Sequence, residues 1–183
     1  MSDGQGSDVT LRPWSERDLP LLERLMGDPA MMTHLGGPET PDKIRERHAR
    51  YCAIADTGKG RVFVIVVGAD ATPVGSVAYW EREWHGELIW ETGWSVLPEF
   101  QGRGFATRGT AAAVERARAE QKHRSIHAFP SVDNAPSNAI CRKVGFTLTG
   151  EVEFEYPLGH FMRCNDWTLD LSAGTDAAGA SEA

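Results

Sequence analysis

Apolar and polar positions along this chain fall into runs of two periods, and those runs lay out its strands and helices. Val62-Phe-Val-Ile-Val-Val67 is continuously apolar, the pattern of a strand buried on both faces. Gly75–Trp80 and Leu88–Val96 read as the next strands, and Arg124–Phe129 as another after the helix that follows them. Residues 146–156 alternate, with Phe146, Leu148, Val152, Phe154 and Tyr156 on one side and Thr147, Thr149, Glu151, Glu153 and Glu155 on the other. The turn Pro157-Leu158-Gly159 then returns the chain as an antiparallel partner over Phe161–Leu171.

Helical spacing fills the gaps. Leu19, Leu22, Leu25 and Met26 recur behind Ser15, an N-cap residue, with Asp18 in the first turn. Thr40-Pro41-Asp42 opens a second helix that runs to Gly58, and residues 31–38, with Gly36-Gly37, form the loop before it. Residues 106–119 make a third helix, with Ala106, Gly109, Thr110, Ala113 and Ala117 as a stripe of small side chains that lets it lie close to a sheet. Residues 134–144 make a short fourth helix capped by Gly145, with Ile140 and Val144 on its core face and Ser137 and Cys141 on another. A first strand at Val9–Arg12, closed by Pro13, completes the order: strand, two helices, three strands, helix, strand, helix, two strands.

The junction at 96–107 carries chemistry. A strand ends at Pro98, a loop holding Gly102 and Gly104 follows, and a helix begins. Glycines there let the backbone approach a bulky anion, and the amides and positive dipole of a helix N-terminus suit a pyrophosphate. The Walker pattern fails because no Lys-Ser or Lys-Thr follows the glycines. The dinucleotide pattern has Thr107 in place of its third glycine and lacks its acidic partner. The pattern Q/R-x-x-G-x-G/A is filled by Gln101, Gly104 and Ala106, preceded by Val96-x-Pro98. Downstream, Asn134-x-x-Ser137 begins a helix that ends in Gly145-Phe146.

These two signatures, in this order, resemble those of the GNAT superfamily of N-acetyltransferases, and their details look closest to the ribosomal-protein alanine acetyltransferase-like branch. The resemblance covers roughly residues 9–171. It implies an α+β (mixed α/β) fold, a mostly antiparallel twisted sheet of about seven strands flanked by about four helices, whose central strands splay apart. It implies acetyl-CoA as the donor, with the pyrophosphate on Gln101, Gly102, Arg103, Gly104, Phe105, Ala106 and Thr107. It places Asn134, Ser137 and Cys141 beside the pantetheine arm, and Trp94, Ser95 and Val96 in the strand stretch whose backbone supplies N–H donors. Arg103 and Arg108 either pair with phosphates or stand solvated.

Acetyl transfer to nitrogen needs a neutral amine, hence a base for an ammonium acceptor, and donors for the charge that develops on oxygen. Glu91, on the strand before the loop and on the opposite face from Trp90 and Trp94, is the candidate base; the competing reading is a structural carboxylate, and Glu87 and Glu81 are rivals nearer turns. Many family members carry a Tyr seven residues after the motif Asn to protonate the departing thiolate. Here Cys141 stands there, a poor donor, which leaves water or another acid. The aromatics Tyr79, Trp80, Trp84, Trp90 and Trp94 either wall the acceptor pocket, with Met31–Gly37 closing over it, or pack the core.

The chain's 183 residues suit one enzyme-sized domain at 9–171, with small, polar tails at 1–8 and 172–183 that lack fixed structure. A net charge of −7 argues against nucleic acid as a partner and fits a cationic acceptor. Cys52, Cys141 and Cys164 and the six histidines show no metal-ligand spacing, so no metal is expected, and the odd cysteine count points to reduced thiols in the cytoplasm. No apolar run is long enough to span a membrane. The expectation is direct transfer from acetyl-CoA to a primary amine of a small molecule or protein N-terminus, without an acyl-enzyme. The alternative is a non-catalytic acyl-CoA-binding or regulatory module, and a homodimer stays open.

Overall fold

The computed structural model describes residues 8–156 and 158–172, so the tails expected at 1–8 and 172–183 lie, apart from Asp8 and Ser172, outside the described residues, as does Pro157. Seven strands form one sheet: β1 (Val9–Pro13), β2 (Gly60–Val67), β3 (Thr72–Trp84), β4 (Glu87–Val96), β5 (Ser125–Ala128), β6 (Thr147–Glu155) and β7 (Phe161–Asp170). Their spatial order is β1-β2-β3-β4-β5-β7-β6. Every neighbouring pair is antiparallel except β4 and β5. The helices are α1 (Leu19–Gly27), α2 (Pro41–Thr57), α3 (Phe105–Glu120) and α4 (Ala135–Val144).

Local chemistry explains the helix ends. The Ser15 N–H and hydroxyl both donate to the Asp18 carboxylate at 2.8 Å, closing a single 3-10 turn that leads into α1. The Thr40 hydroxyl caps α2, Pro41 takes its first turn, and Gly58 ends it in the left-handed region at φ 68°. The small stripe of α3 works as expected: a Cβ on Gly109 would sit 2.7 Å from the end of the Ile65 side chain, which would have to move to admit it.

Each face of the sheet has its own core. Phe63, Ile65, Val77, Tyr79, Trp90, Ile126 and Trp167 pack under α3 and α4. Val62, Val64, Val66 and Ala78 pack under Leu22, Leu25 and Ile44 of α1 and α2, as a strand apolar on both faces requires. On this second face the main helix contacts fall on β2 and β3, so the β5–β7 half carries no comparable cover.

Three expectations need correction. The strand expected at Gly75–Trp80 runs from Thr72 to Trp84, because the hairpin to β4 continues pairing out to Trp84 and Glu87. The alternation at 146–156 does not stay on one side. The β6–β7 register shifts between Leu148 and Gly150, so Leu148 lies opposite Trp167 on the α4 face, 48% exposed at the sheet edge, whereas Phe154 turns to the other face. On α4 the most deeply buried residues are Asn138 and Cys141, with Ile140 and Val144 only half-buried.

Candidate active site

β4 and β5 pair through only Trp90↔Ile126 and Glu91↔His127, after which β4 runs on for five residues to Val96 with no partner on that side. The sheet therefore opens just past Glu91. Which amides face the opening follows from the antiparallel pairing with β3. The Leu97 N–H donates to the Val74 oxygen at 2.9 Å, so by alternation Ser95 and Gly93 also bond toward β3. The N–H groups of Val96 and Trp94 point the other way, into the opening, while that of Thr92 is taken up by the ladder to His127 on β5, and the Val96 carbonyl on the open edge takes the Gln101 side-chain amide at 2.9 Å. Ser95, expected in the donor stretch, has its N–H turned to β3, whereas Trp94 and Val96, also expected there, have theirs on the open edge.

The opening leads to the glycine loop. Gly102 and Gly104 both hold positive φ, 74° and 76°, and a Cβ on either would meet nothing within 4 Å, so the space in front of the loop is open. Gly104 is the N-cap of α3, and Arg108 is the first residue to bond back, its N–H to the Gly104 oxygen at 3.1 Å. The amides of Phe105, Ala106 and Thr107 are thus the ones a helix start leaves for a ligand, with no capping side chain in the way. Arg103 and Arg108 flank them, each over the Phe105 ring, at 4.9 and 5.2 Å, and the Phe105 side chain itself is core. An open glycine cradle with unclaimed helix amides and two arginines fits the diphosphate of coenzyme A. The Met31–Gly37 segment reaches this loop, where Gln101 Nε2 lies 3.5 Å from Met31 Sδ.

Across the opening stands α4. Asn134 caps it, its Oδ1 accepting the Ser137 N–H at 3.1 Å, and both residues remain part-exposed. Cys141, expected beside the cofactor, is 0% exposed and packs among core side chains. Burial pushes its thiol up to about 12. It is a core residue.

The carboxylate of Glu91 sits at the apex, on the face opposite α3. It is 8% exposed, and burial raises its pKa above the ordinary carboxylate range even though the Arg82 charge and hydrogen bond, Trp80 and His127 all oppose the rise. Arg82 Nη1 donates to Glu91 Oε2 at 2.8 Å. Beside it, His127 Nδ1 lies 2.7 Å from Asp166 Oδ1, and the Trp84 indole donates to Asp166 Oδ2 at 3.0 Å. Burial pushes the Asp166 carboxyl up, but His127, Trp84 and Thr149 outweigh it and hold it below the usual range. Arg47 of α2, paired with Glu39, donates to the Tyr156 hydroxyl at 2.9 Å and ties α2 to the end of β6.

The expected aromatic wall divides. Tyr79 and Trp90 belong to the α3 core, with Trp94 packed against it, while Trp80 and Trp84 share the face of Glu91. Arg82, His127, Asp166, Phe129 and Phe154 had no local signal in the sequence, because they come from four strands and meet only through the sheet. Among the described residues no group of three or more His, Cys, Asp or Glu is placed to hold a metal ion, and no helix is long and apolar enough to cross a membrane.

Known proteins share this fold. Residues 8–147 match the family described as Acetyltransferase (GNAT) domain. A relative named as the uncharacterized N-acetyltransferase YnaD of Bacillus subtilis (strain 168) is 25% identical over 105 residues, which spans 57% of this chain and 58% of that protein. The spermidine N-acetyltransferase of Vibrio cholerae, solved with CoA and spermine, superposes with a TM-score of 0.74 at 22% identity, covering 90% of this chain and 96% of its own. An acetyltransferase of Salmonella typhimurium that modifies the N-terminal serine of ribosomal protein L7/L12 gives 0.74 at 20% identity, covering 88% and 94%. The opening in the sheet, the glycine loop at its mouth and the family match lead to one conclusion: this chain belongs to the GNAT family of acetyltransferases.

Proposed function

We propose that this chain transfers an acetyl group from acetyl-CoA directly to a primary amine of a small molecule or protein N-terminus, in the cytoplasm, with Glu91 taking the proton of the incoming ammonium. The observation that carries the reading is the unpaired edge of β4, which begins at Glu91 and ends at the glycine loop. Bound there, acetyl-CoA supplies an acyl group already activated as a thioester. The amides of residues 102–107, with Arg103 and Arg108, hold its diphosphate, and Asn134 and Ser137 flank its arm.

The N–H groups of Trp94 and Val96 line the gap and stabilise negative charge developing on a carbonyl oxygen placed there. Glu91 stands at the gap's closed end, buried enough to be a stronger base than an exposed carboxylate yet kept in reach of ionisation by Arg82 and His127. Cys141, enclosed and with a raised pKa, gives no proton to a leaving thiolate, which leaves that role to water or another acid. That the Vibrio cholerae and Salmonella typhimurium neighbours act on amines, one small and one an N-terminus, supports an amine acceptor here.

Thiol release from acetyl-CoA, followed with a panel of primary amines and by mass gain of one acetyl group, tests the reading. Turnover with at least one amine is expected. Tight CoA binding with no turnover across the panel favours the non-catalytic module instead.

A further inference from the structure

Arg82 is held differently from the other partly buried arginines. Arg12 bonds Asp18 through two nitrogens, at 3.0 and 2.7 Å, and Arg47 bonds both oxygens of Glu39. Arg82 has one hydrogen bond to protein among the described residues, to Glu91, and its side chain is 33% exposed. The rest of its environment is aromatic. Its guanidinium carbon lies 4.3 Å from the Phe154 ring centroid, 5.8 Å from Phe129 and 5.9 Å from Trp84.

Those rings are fixed by contacts that do not involve Arg82. Phe129 stacks on Phe154 with centroids 4.8 Å apart, and Trp84 meets Phe129 edge-on at 4.8 Å. The Trp84 indole is pinned by Asp166, which is pinned by His127. Three π faces and a buried carboxylate therefore form a standing cage for one cation. It lies on the half of the sheet that α1 and α2 leave largely uncovered, with Glu91 at the apex of the opening. Arg82 reaches it from a hairpin arm that ends in the turn at His85 and Gly86, both at positive φ.

We infer that the cage of Trp84, Phe129, Phe154 and Glu91 is the acceptor's cation site, that Arg82 occupies it only while no acceptor is bound, and that the acceptor is an alkylammonium or guanidinium compound that displaces it. The inference rests on the acetyl-transfer reading and narrows it to cationic acceptors. An arriving ammonium takes the place of Arg82 on Glu91, which brings the proton to be removed directly onto the base. Neutral and acidic acceptors gain nothing from π faces and a carboxylate. The other groups facing Glu91 are Trp80, His127 and Cys164, and the His127 ring is tied to Asp166 at 2.7 Å and to Thr168 at 3.1 Å.

The test reads binding in cofactor-free protein at pH 8 and constant ionic strength. Methylguanidinium, which cannot be acetylated under assay, is titrated by calorimetry, with methylurea as its neutral counterpart. Arg82→Gln removes the resident cation and should bind methylguanidinium about five- to thirty-fold more tightly than wild type, the range of a desolvated cation–π contact. Adding Glu91→Gln should erase that gain, and methylurea should bind none of the forms. Arg82→Lys, which keeps a charge but loses the planar stack, should show a smaller gain and serves if Arg82→Gln does not fold. Unchanged or weaker binding in a folded Arg82 variant makes Arg82 part of the site rather than its occupant and overturns the inference, as does equal binding of methylurea. Acetyl-CoA affinity measured on the same samples bears on acetyl transfer alone, so the two readings fail separately.

Discussion

The two sides of the opening are built on different principles. On the cofactor side the working groups are backbone amides: those of residues 102–107 and of Trp94 and Val96, placed by φ angles and strand alternation. On the acceptor side they are side chains, with Glu91, Arg82, His127 and Asp166 set among Trp84, Phe129 and Phe154. Backbone donors are the same whatever the residue, so the cofactor side tolerates side-chain change while its glycines do not. The acceptor side has the opposite sensitivity, since every charge there depends on a neighbour from another strand. A constant donor and a variable acceptor suit that division.

The sharpest break in the contrast is Glu91→Gln. It keeps shape and acetyl-CoA affinity but should lower kcat by about 10²- to 10⁴-fold. Because burial holds Glu91 above the ordinary carboxylate pKa, wild-type activity should fall on acidification already above about pH 4.3, and this acidic limb should vanish in the variant. An unchanged limb would remove Glu91 as the base.

Gly104→Val tests the other side. A branched side chain at φ 76° strains the loop by about 1–2 kcal/mol and fills the space before the helix amides. Acetyl-CoA affinity should drop about tenfold or more, well beyond the loss in thermal stability; near-normal affinity in the folded variant would refute a backbone cradle.

Asp166→Asn should act through stability. The folded state lowers the Asp166 pKa, so its contribution is present above the unfolded value near 3.9 and disappears as pH falls through the folded one. Urea unfolding at pH 7 should show the variant less stable by about 1–3 kcal/mol, with the difference shrinking toward pH 3.

Asn134→Ala removes the α4 cap, costing about 1 kcal/mol of stability, and raises the apparent KM for acetyl-CoA several-fold. An effect confined to the amine's KM would move this helix to the acceptor side. Smallest of all is Cys141→Ala, expected to leave kcat within about twofold, since an enclosed thiol with a raised pKa is poorly matched to proton transfer. A large loss of kcat there would return Cys141 to the chemistry.

What the sequence revealed follows the same division. Gly102, Gly104, Asn134 and Gly145 announce themselves because each satisfies a local backbone demand within a few residues. Their elements were legible to within a few positions, except β3, whose outer half is held by cross-strand pairing alone. Glu91 was visible as an acid on a strand beside the loop. Its partners were not, because Arg82, His127, Phe154 and Asp166 are spread over 85 positions of sequence and converge only through strand order. Alternation puts Phe154 on the same side as Leu148, but a one-residue slip in the β6–β7 ladder inverts everything beyond it. The resemblance sets Cys141 beside the cofactor while the structure encloses it in the core, because a position in a motif does not say what packs around the side chain.

The short β4–β5 ladder also has a mechanical meaning. Among the described residues two pairs stitch β1–β4 to β5–β7 through the sheet itself; the rest of the union is side-chain packing beneath α3 and α4 and, on the other face, side-chain hydrogen bonds such as Trp84 to Asp166 and Arg47 to Tyr156. The molecule is thus a clasp whose tongue is a ligand: whatever enters the gap bridges two lobes that the backbone joins only at one end. Occupancy and rigidity become a single variable. At a hundred times its dissociation constant such a ligand adds about 2.7 kcal/mol to the folded state. Amide exchange along β5 should slow as acetyl-CoA is added, in step with saturation.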